Sequence, residues 1–472
     1  MHIRSFVDGK SAAFGLPGLT LIRPEDGATT GDILEAGDAG VEAAVAAAAA
    51  AFDRLRGAPQ HQRIAWLKTA ATALSAASEE IAQIIAEDVG KPIRLARGEV
   101  KRGVEFIEGC AAALPNLNGE ILPLDSATNG AGLLGMVRHV PFGVVAAVAP
   151  FNAPVNLLVQ KLAPAVAAGN TVVVKPAPAG LRTALKLAAI FSAAGWPDGL
   201  FNVVSGDRAT ALSLVVHPLV RAVSVTGGTA AGEALARAAG AKKFLAELGS
   251  NAANLVFADA DLKVAAQKIA AAGFEASGQQ CISAQRVLVQ RAALEAFLPL
   301  LVEAAKALNV GAVGDPRTDI GPMVTLASAE RVMALVADAQ AKGARALLPP
   351  VRDGALVSPG ILVDVTSAMR LWHEEIFGPV IVVLPFDTVD EAIAMANDSP
   401  FGLQAAAFTA NLATALRLAD AIDVGSLWIN EASRFRLDMY PFGGVKSSGV
   451  GREGIRYAIQ EMSQLKFIGI RP

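Results

Sequence analysis

Cysteine is nearly absent: Cys110 and Cys281 are the only two in 472 residues, so no disulfide framework holds this chain together. A basic excess is missing too. The formal net charge is −3 and the isoelectric point is near 6.0, which leaves no electrostatic footprint for nucleic acid. Hydrophobic residues make up 53% and mean hydropathy is +0.43, yet no long apolar run is uninterrupted. The longest uncharged stretch, 140–160, holds Pro141, Pro150, Pro154, Asn152 and Asn156, a poor membrane-spanning helix. The first residues, Met1-His2-Ile3-Arg4-Ser5, run into Asp8 and Lys10 without an apolar signal core. These absences point to a soluble, cytoplasmic protein with no nucleic-acid, membrane or metal partner. The length leads us to expect two or three domains, each with its own core.

What is present is a helix-and-strand alternation. Residues 38–115 are alanine-rich with periodic Val, Ile, Leu and Trp66, which predicts a packed helix pair rather than a linker. Residues 116–139 lose that period and read as an extended ribbon. From 140 onward, strands at 144–149, 171–174, 200–204, 221–225 and 243–246 alternate with helices at 155–168, 182–194, 207–216 and 230–239. That rhythm predicts a parallel, doubly wound sheet. A second series follows, with strands at 254–257, 285–289, 380–384, 405–408 and 426–429. The boundary is expected near 250, and the last stretch, 463–472, reads extended.

Several strand ends carry chemistry-bearing residues. Cys281 follows Gly278-Gln279-Gln280, a small polar approach that leaves a thiol open to substrate; a lone cysteine is otherwise a small buried hydrophobe. Asn152, in Pro150-Phe151-Asn152-Ala153-Pro154, offers an amide donor suited to an oxyanion, or an Asx-turn before Pro154. Lys175 ends a strand at the edge where open α/β sheets bind ligands; a solvated lysine is the plain alternative. Thr226-Gly227-Gly228-Thr229-Ala230-Ala231-Gly232 joins strand to helix, where small residues let a diphosphate approach a helix N-terminus. It is not the usual G-x-G-x-x-G fingerprint. Glu247-Leu248-Gly249-Ser250 closes the fifth strand with a carboxylate able to serve as a general base.

In this order and spacing, these motifs resemble the aldehyde dehydrogenase superfamily over nearly the whole chain. Glu374-Glu375-Ile376-Phe377-Gly378-Pro379 and Pro441-Phe442-Gly443-Gly444-Val445-Lys446-Ser447-Ser448-Gly449 continue the likeness, and the 34 residues from Glu247 to Cys281 suit it. The resemblance implies an α/β fold of two doubly wound domains, a Rossmann-type coenzyme domain at 1–117 and 140–249 and a catalytic domain at 250–450. Bridging arms at 118–139 and 451–472 would join subunits into a homodimer or homotetramer. It implies Cys281 as nucleophile, Asn152 with the Cys281 N–H as oxyanion donors, and Glu247 as deacylation base. Coenzyme contacts fall to Lys175, Pro176, Pro178, Thr226, Gly227, Gly228, Gly232 and Leu248, with Glu375 at a ribose and Phe377 beside the nicotinamide ribose.

Some positions depart from the family pattern. Many NAD-preferring members carry Glu three residues after the lysine, where this chain has Pro178. Without that carboxylate, dual use of NADP and NAD is expected. Gly228 replaces a common Ser and Ala230 a common Glu. The loop 433–440 resembles the lactaldehyde dehydrogenase-like branch. Its Arg434 and Arg436 could anchor an acidic semialdehyde, although a structural pairing of Arg436 with Asp438 is the preferred reading. Cys110 matches no motif and is expected in helix packing. The expected activity is therefore oxidation of an aldehyde to the acid. The alternatives are a semialdehyde-specific enzyme, a coenzyme-A-acylating one, or a non-catalytic descendant.

Overall fold

The computed structural model describes residues 2–15 and 17–472. The alanine-rich region forms four helices rather than a pair: Gly37–Leu55, Gln60–Ala76, Ser78–Val89 and Ile93–Ala113. Alanine supports helix at little entropic cost. Breaks fall at Gly57 with Pro59, and at Gly90, which sits in the left-handed region at the C-cap. Cys110 is fully buried among Ile107, Ala111 and Leu114, and burial pushes its thiol well above the ordinary range.

The first sheet holds five parallel strands in spatial order Lys243–Glu247, Val220–Thr226, Val144–Ala149, Thr171–Pro176 and Phe201–Val203. Val, Ala and Thr dominate them because both sheet faces are covered by helices. Two features were not visible in the alternation. Ser5–Val7 and Lys10–Ala12 extend one edge antiparallel. At the other edge Gly449–Val450 returns from the far end of the chain, pairing Gly449 with Glu247.

The second sheet has seven strands, ordered Arg345–Leu348, Gly360–Val363, Val380–Phe386, Arg286–Gln290, Ala253–Val256, Gln404–Phe408 and Ser426–Ile429. All pairs are parallel except the first. The strands Arg345–Leu348 and Gly360–Val363 escape the sequence reading, being four residues each with no clean alternation.

A third, antiparallel sheet joins Glu120–Leu122, Leu134–Pro141 and Ser463–Ile470, in register from Ser463 opposite Pro141 to Ile470 opposite Leu134. The ribbon between is broken by single turns at Leu124–Ser126 and Thr128–Gly130. Ile121, Leu465 and Phe467 are exposed on this sheet. Ser463–Ile470 falls in the stretch read as extended, and before it helix Ile455–Glu461 buries Ala458 and Ile459. Among the described residues, no helix is long and apolar enough to cross a membrane.

Candidate active site

The C-terminal ends of the first sheet's strands converge on a cleft of about 750 Å³. Lys175, Pro178, Thr226, Gly227, Gly228, Leu248, Glu375 and Phe377 line it, together with Asn152 and Cys281. On the other side of the thiol lies a second cavity of about 540 Å³. Asn152, Leu157 and Cys281 belong to both walls, so the thiol and one amide stand where the two spaces meet.

The backbone before Cys281 explains this placement. Ala276, Ser277 and Gly278 lie consecutively in the left-handed region, with φ of 52°, 60° and 63°. Two of these are not glycine, and each costs about 1–2 kcal/mol there, so surrounding contacts must hold them. Ser277 Oγ donates to Gly321 O at 2.7 Å. A side chain at Gly278 would meet Gly378 O at 2.3 Å. Nothing in the local sequence signalled this coil. Asn152 Nδ2 donates to Gln279 O at 3.0 Å, tying the amide to the nucleophile loop. That bond uses one of its two N–H groups, and Asn152 lines both cavities.

Burial pushes the Cys281 thiol up to about 12; Arg436 opposes this, while Glu375, Glu247 and Glu453 add to it. Arg436 is itself buried, its Nη2 donating to Glu453 at 3.0 Å and its guanidinium carbon 3.6 Å from the Phe442 ring centre. The expected Arg436–Asp438 pairing is present as an ion pair, though Arg436 lies closer to Glu453. Asp438 is held in two bonds by Arg102 at 2.8 and 2.6 Å, and stands 3.8 Å from Arg436.

Glu247 is buried and lines neither large cavity. It faces a small crevice shared with Lys161, Arg452 and Glu453. Its Oε2 has no hydrogen-bond partner. Burial first, and the Glu453 charge second, push this carboxyl well above the ordinary range. Burial works against Glu453 as well, yet Lys161 at 3.2 Å and Arg436 hold it below that range. The two carboxyls are thus pushed in opposite directions, Glu247 toward its protonated form and Glu453 toward its ionised form.

The coenzyme-side residues divide into wall and support. Gly227 and Gly228 face open space, where a side chain would meet nothing within 4 Å, and Thr226 Oγ1 is buried without a partner. Gly232 and Pro176 do not line the cleft. Gly232 sits under Leu248, whose methyl lies 2.2 Å from where a Cβ would be, and Pro176 is buried at its strand end. Lys175 Nζ donates to Gly206 O at 3.3 Å, and burial pushes its ammonium down to about 8. Glu375 Oε1 accepts from the Ser250 N–H at 3.0 Å, and burial pushes its carboxyl up to about 7. Phe377, at φ 49°, meets Phe151 edge-on with ring centres 6.0 Å apart.

Two cleft residues were missed in the sequence. Asp207 caps the helix Arg208–Val216 by accepting from the Ala209 N–H at 2.7 Å, and both Asp207 and Arg208 line the cleft. An Asp before a helix marks an N-cap, but nothing in one sequence shows that its charge will act on the lysine of another strand. Arg182 instead turns away to Asp88 at 2.6 Å and Glu87 at 3.1 Å.

The sequence profile of the aldehyde dehydrogenase family matches residues 16–468. The 3-sulfolactaldehyde dehydrogenase of Priestia aryabhattai is 42% identical over 424 residues, 89% of either chain. The crystal structure of NADP-dependent glyceraldehyde-3-phosphate dehydrogenase from Bacillus halodurans C-125, complexed with NADP, superposes with a TM-score of 0.97. It is 34% identical, over 100% of this chain and 99% of that one. An indole-3-acetaldehyde dehydrogenase crystallised with NAD+ superposes with a TM-score of 0.95 at 35% identity, covering 99% and 96%.

Proposed function

Because this chain belongs to the aldehyde dehydrogenase family, we propose how its own residues divide the NAD(P)-dependent oxidation of an aldehyde to an acid. The observation that carries this reading is the place of Cys281 and Asn152 on both cavity walls. Coenzyme enters from one side and aldehyde from the other, meeting at one sulfur.

The cleft fits a dinucleotide. The side-chain-free Gly227 and Gly228, the unpartnered Thr226 hydroxyl and the cationic Lys175 provide a diphosphate approach and ribose contacts. Glu375 and Phe377 would hold the nicotinamide end. When bound, the coenzyme supplies the hydride acceptor. Cys281 loses its proton and its sulfur bonds to the aldehyde carbon. The oxygen that gains the electron pair is held by Asn152 and the Cys281 N–H. After oxidation leaves a thioester, Glu247 swings from its buried crevice toward the thiol, gives its proton to solvent as it leaves that desolvated site, and as a carboxylate takes a proton from the attacking water. The hydroxide displaces the sulfur, releasing the acid. A carboxyl able to activate water favours hydrolysis over acyl transfer to coenzyme A, which needs no such base. Reduced-coenzyme absorbance with a test aldehyde, unchanged by adding coenzyme A, is the expected result; strict dependence on coenzyme A would overturn it.

The relatives' names span sulfonated, phosphorylated and aromatic aldehydes, so likeness alone does not select the substrate. They also include both coenzymes. Pro178 supplies no carboxylate to repel a 2′-phosphate, and two cations, Lys175 and Arg208, line the cleft, with the Asp207 charge acting on Lys175. NADP is expected to serve at least as well as NAD, within about tenfold or about 1.4 kcal/mol. Pro178→Glu shifts preference toward NAD, and Arg208→Gln lowers kcat/KM for NADP by about 10–100-fold while sparing NAD. Since Lys175 loses its proton near 8, KM for NADP should rise above that pH more than KM for NAD. Wild-type preference for NAD beyond about a hundredfold would show that another group excludes the phosphate.

The same reading places coenzyme binding in 1–117 and 140–249, the nucleophile in 250–450, and subunit bridging in 118–139 and the terminal strand. The exposed Ile121, Leu465 and Phe467 on the arm sheet leave an open, apolar edge that proteins cover. A homodimer or homotetramer is expected by light scattering at micromolar concentration, and Leu465→Asp with Phe467→Asp should shift it toward monomer. A wild-type monomer would contradict this. A cytoplasmic location keeps the catalytic thiol reduced.

A further inference from the structure

This inference rests on Cys281 as nucleophile and concerns the cavity opposite the coenzyme cleft. Six cationic side chains line that cavity, Lys91, Arg94, Arg102, Lys268, Arg434 and Arg436, against two carboxylates, Glu99 and Glu431. The other acids that pair with the arginines lie outside its wall. Asp319 takes Arg94, Asp438 takes Arg102, Glu275 takes Arg434 and Glu453 takes Arg436. The guanidinium groups are therefore braced from behind. Arg436 is buried and committed to Glu453, Gln160 and the Phe442 ring. Arg94, Arg102 and Arg434 remain partly exposed.

Two of these three share a helix face. Arg94, Gly98 and Arg102 follow at four-residue intervals on Ile93–Ala113, and all three line the cavity. Glycine inside a helix is unfavourable, and here packing does not demand it: a Cβ at Gly98 would meet nothing within 4 Å. The missing side chain leaves open room between two arginines. Arg434 joins the group from a separate segment, and Arg94 and Arg434 share the carboxylate Glu275 at 4.0 and 2.7 Å. The Arg434 Nε donates to Gln280 Oε1 at 2.9 Å and its Nη1 to Glu275 at 2.7 Å. Its Nη2 has no hydrogen-bond partner among the described residues. Gln280 precedes Cys281, so Arg434 is one residue's reach from the reacting sulfur.

We propose that the substrate is a short aldehyde whose far end carries an oxyanion group, a carboxylate, sulfonate or phosphate, seated over Gly98 between Arg94, Arg102 and Arg434. The planar fork of arginine matches such groups in paired hydrogen bonds. Because the bracing acids offset most of the positive charge, discrimination comes from those directed bonds. The reaction at the aldehyde end is unchanged, and the product carries two anionic ends.

The test compares kcat/KM for succinic semialdehyde, sulfoacetaldehyde and glyceraldehyde 3-phosphate with that for methyl 4-oxobutanoate, a neutral ester of the first. At least one anionic aldehyde should exceed the ester by about a hundredfold or more, and which one identifies the anion. Arg434→Gln and Arg94→Gln should each shrink that ratio by about tenfold or more, chiefly through KM. Arg434→Lys, keeping charge without the fork, should restore part of it. Gly98→Leu, which fills the space, should shrink the ratio without disturbing coenzyme binding. Equal use of the ester and all three anions would overturn the proposal while leaving Cys281 as nucleophile. Oxidation of none of the four would remove the underlying reading as well.

Discussion

Cys281→Ala is expected to abolish aldehyde oxidation, by about 10⁴-fold or more, while coenzyme still binds. The loss should be this large because no other thiol can substitute. Cys110 is fully buried in a helical core and lines neither large cavity. Cys110→Ala should therefore keep its turnover and lose about 1 kcal/mol of stability through a small cavity. Coenzyme titration by fluorescence, alongside absorbance of the reduced coenzyme, separates binding from chemistry. An active Cys281 variant paired with a dead Cys110 variant would reverse the assignment. The wild-type pH profile offers a second check. With the free thiol pushed up to about 12 by burial, the thiolate fraction grows about tenfold per pH unit below that value. Single-turnover rates should climb through the neutral and alkaline range and fall on acidification.

Glu247→Gln is expected to slow steady-state turnover by about 10²–10⁴-fold, with one burst of reduced coenzyme per site remaining. Glutamine copies the shape of the carboxyl and the neutral form that burial favours. It removes only the capacity to accept a proton from water. The substitution should not harm the fold, and the direction of the shift says why. A folded pKa above the unfolded value means that the protonated carboxyl is favoured in the native state. Ionisation then costs stability as pH rises above the ordinary carboxylate range. The glutamine variant carries no such cost, so its Tm should equal or exceed wild type at alkaline pH. Full steady-state turnover in this variant would take Glu247 out of the mechanism.

The parts legible in the sequence share one property: they are local. Strand Val144–Ala149 reads directly from its small and β-branched run, and Gly278-Gln279-Gln280-Cys281 is contiguous. Lys175 at a strand end needs only the strand to be placed. What escaped depends on partners far along the chain. The alanine-rich region hid four helices because its breaks lie at single residues such as Gly90. The short strands Ser5–Val7 and Gly360–Val363 carry too few residues to show a period.

From the sequence alone came the α/β alternation and the candidates for nucleophile, amide donor and base, because hydrophobic period and short motifs are properties of neighbours. Tertiary structure alone decided what surrounds them. Gly449–Val450 returns about two hundred residues after Glu247 to pair beside it, and the Lys161–Glu453 pair arrives from two further elements. Burial among those groups, and not the identity of Glu247, sets its protonation. In the same way, the approach of separate elements brings Arg208 to the cleft shared with Lys175 and Arg434 to the cavity shared with Arg94 and Arg102. Side-chain direction and desolvation exist only once distant segments pack, so the kind of residue was visible in advance and its chemical state was not.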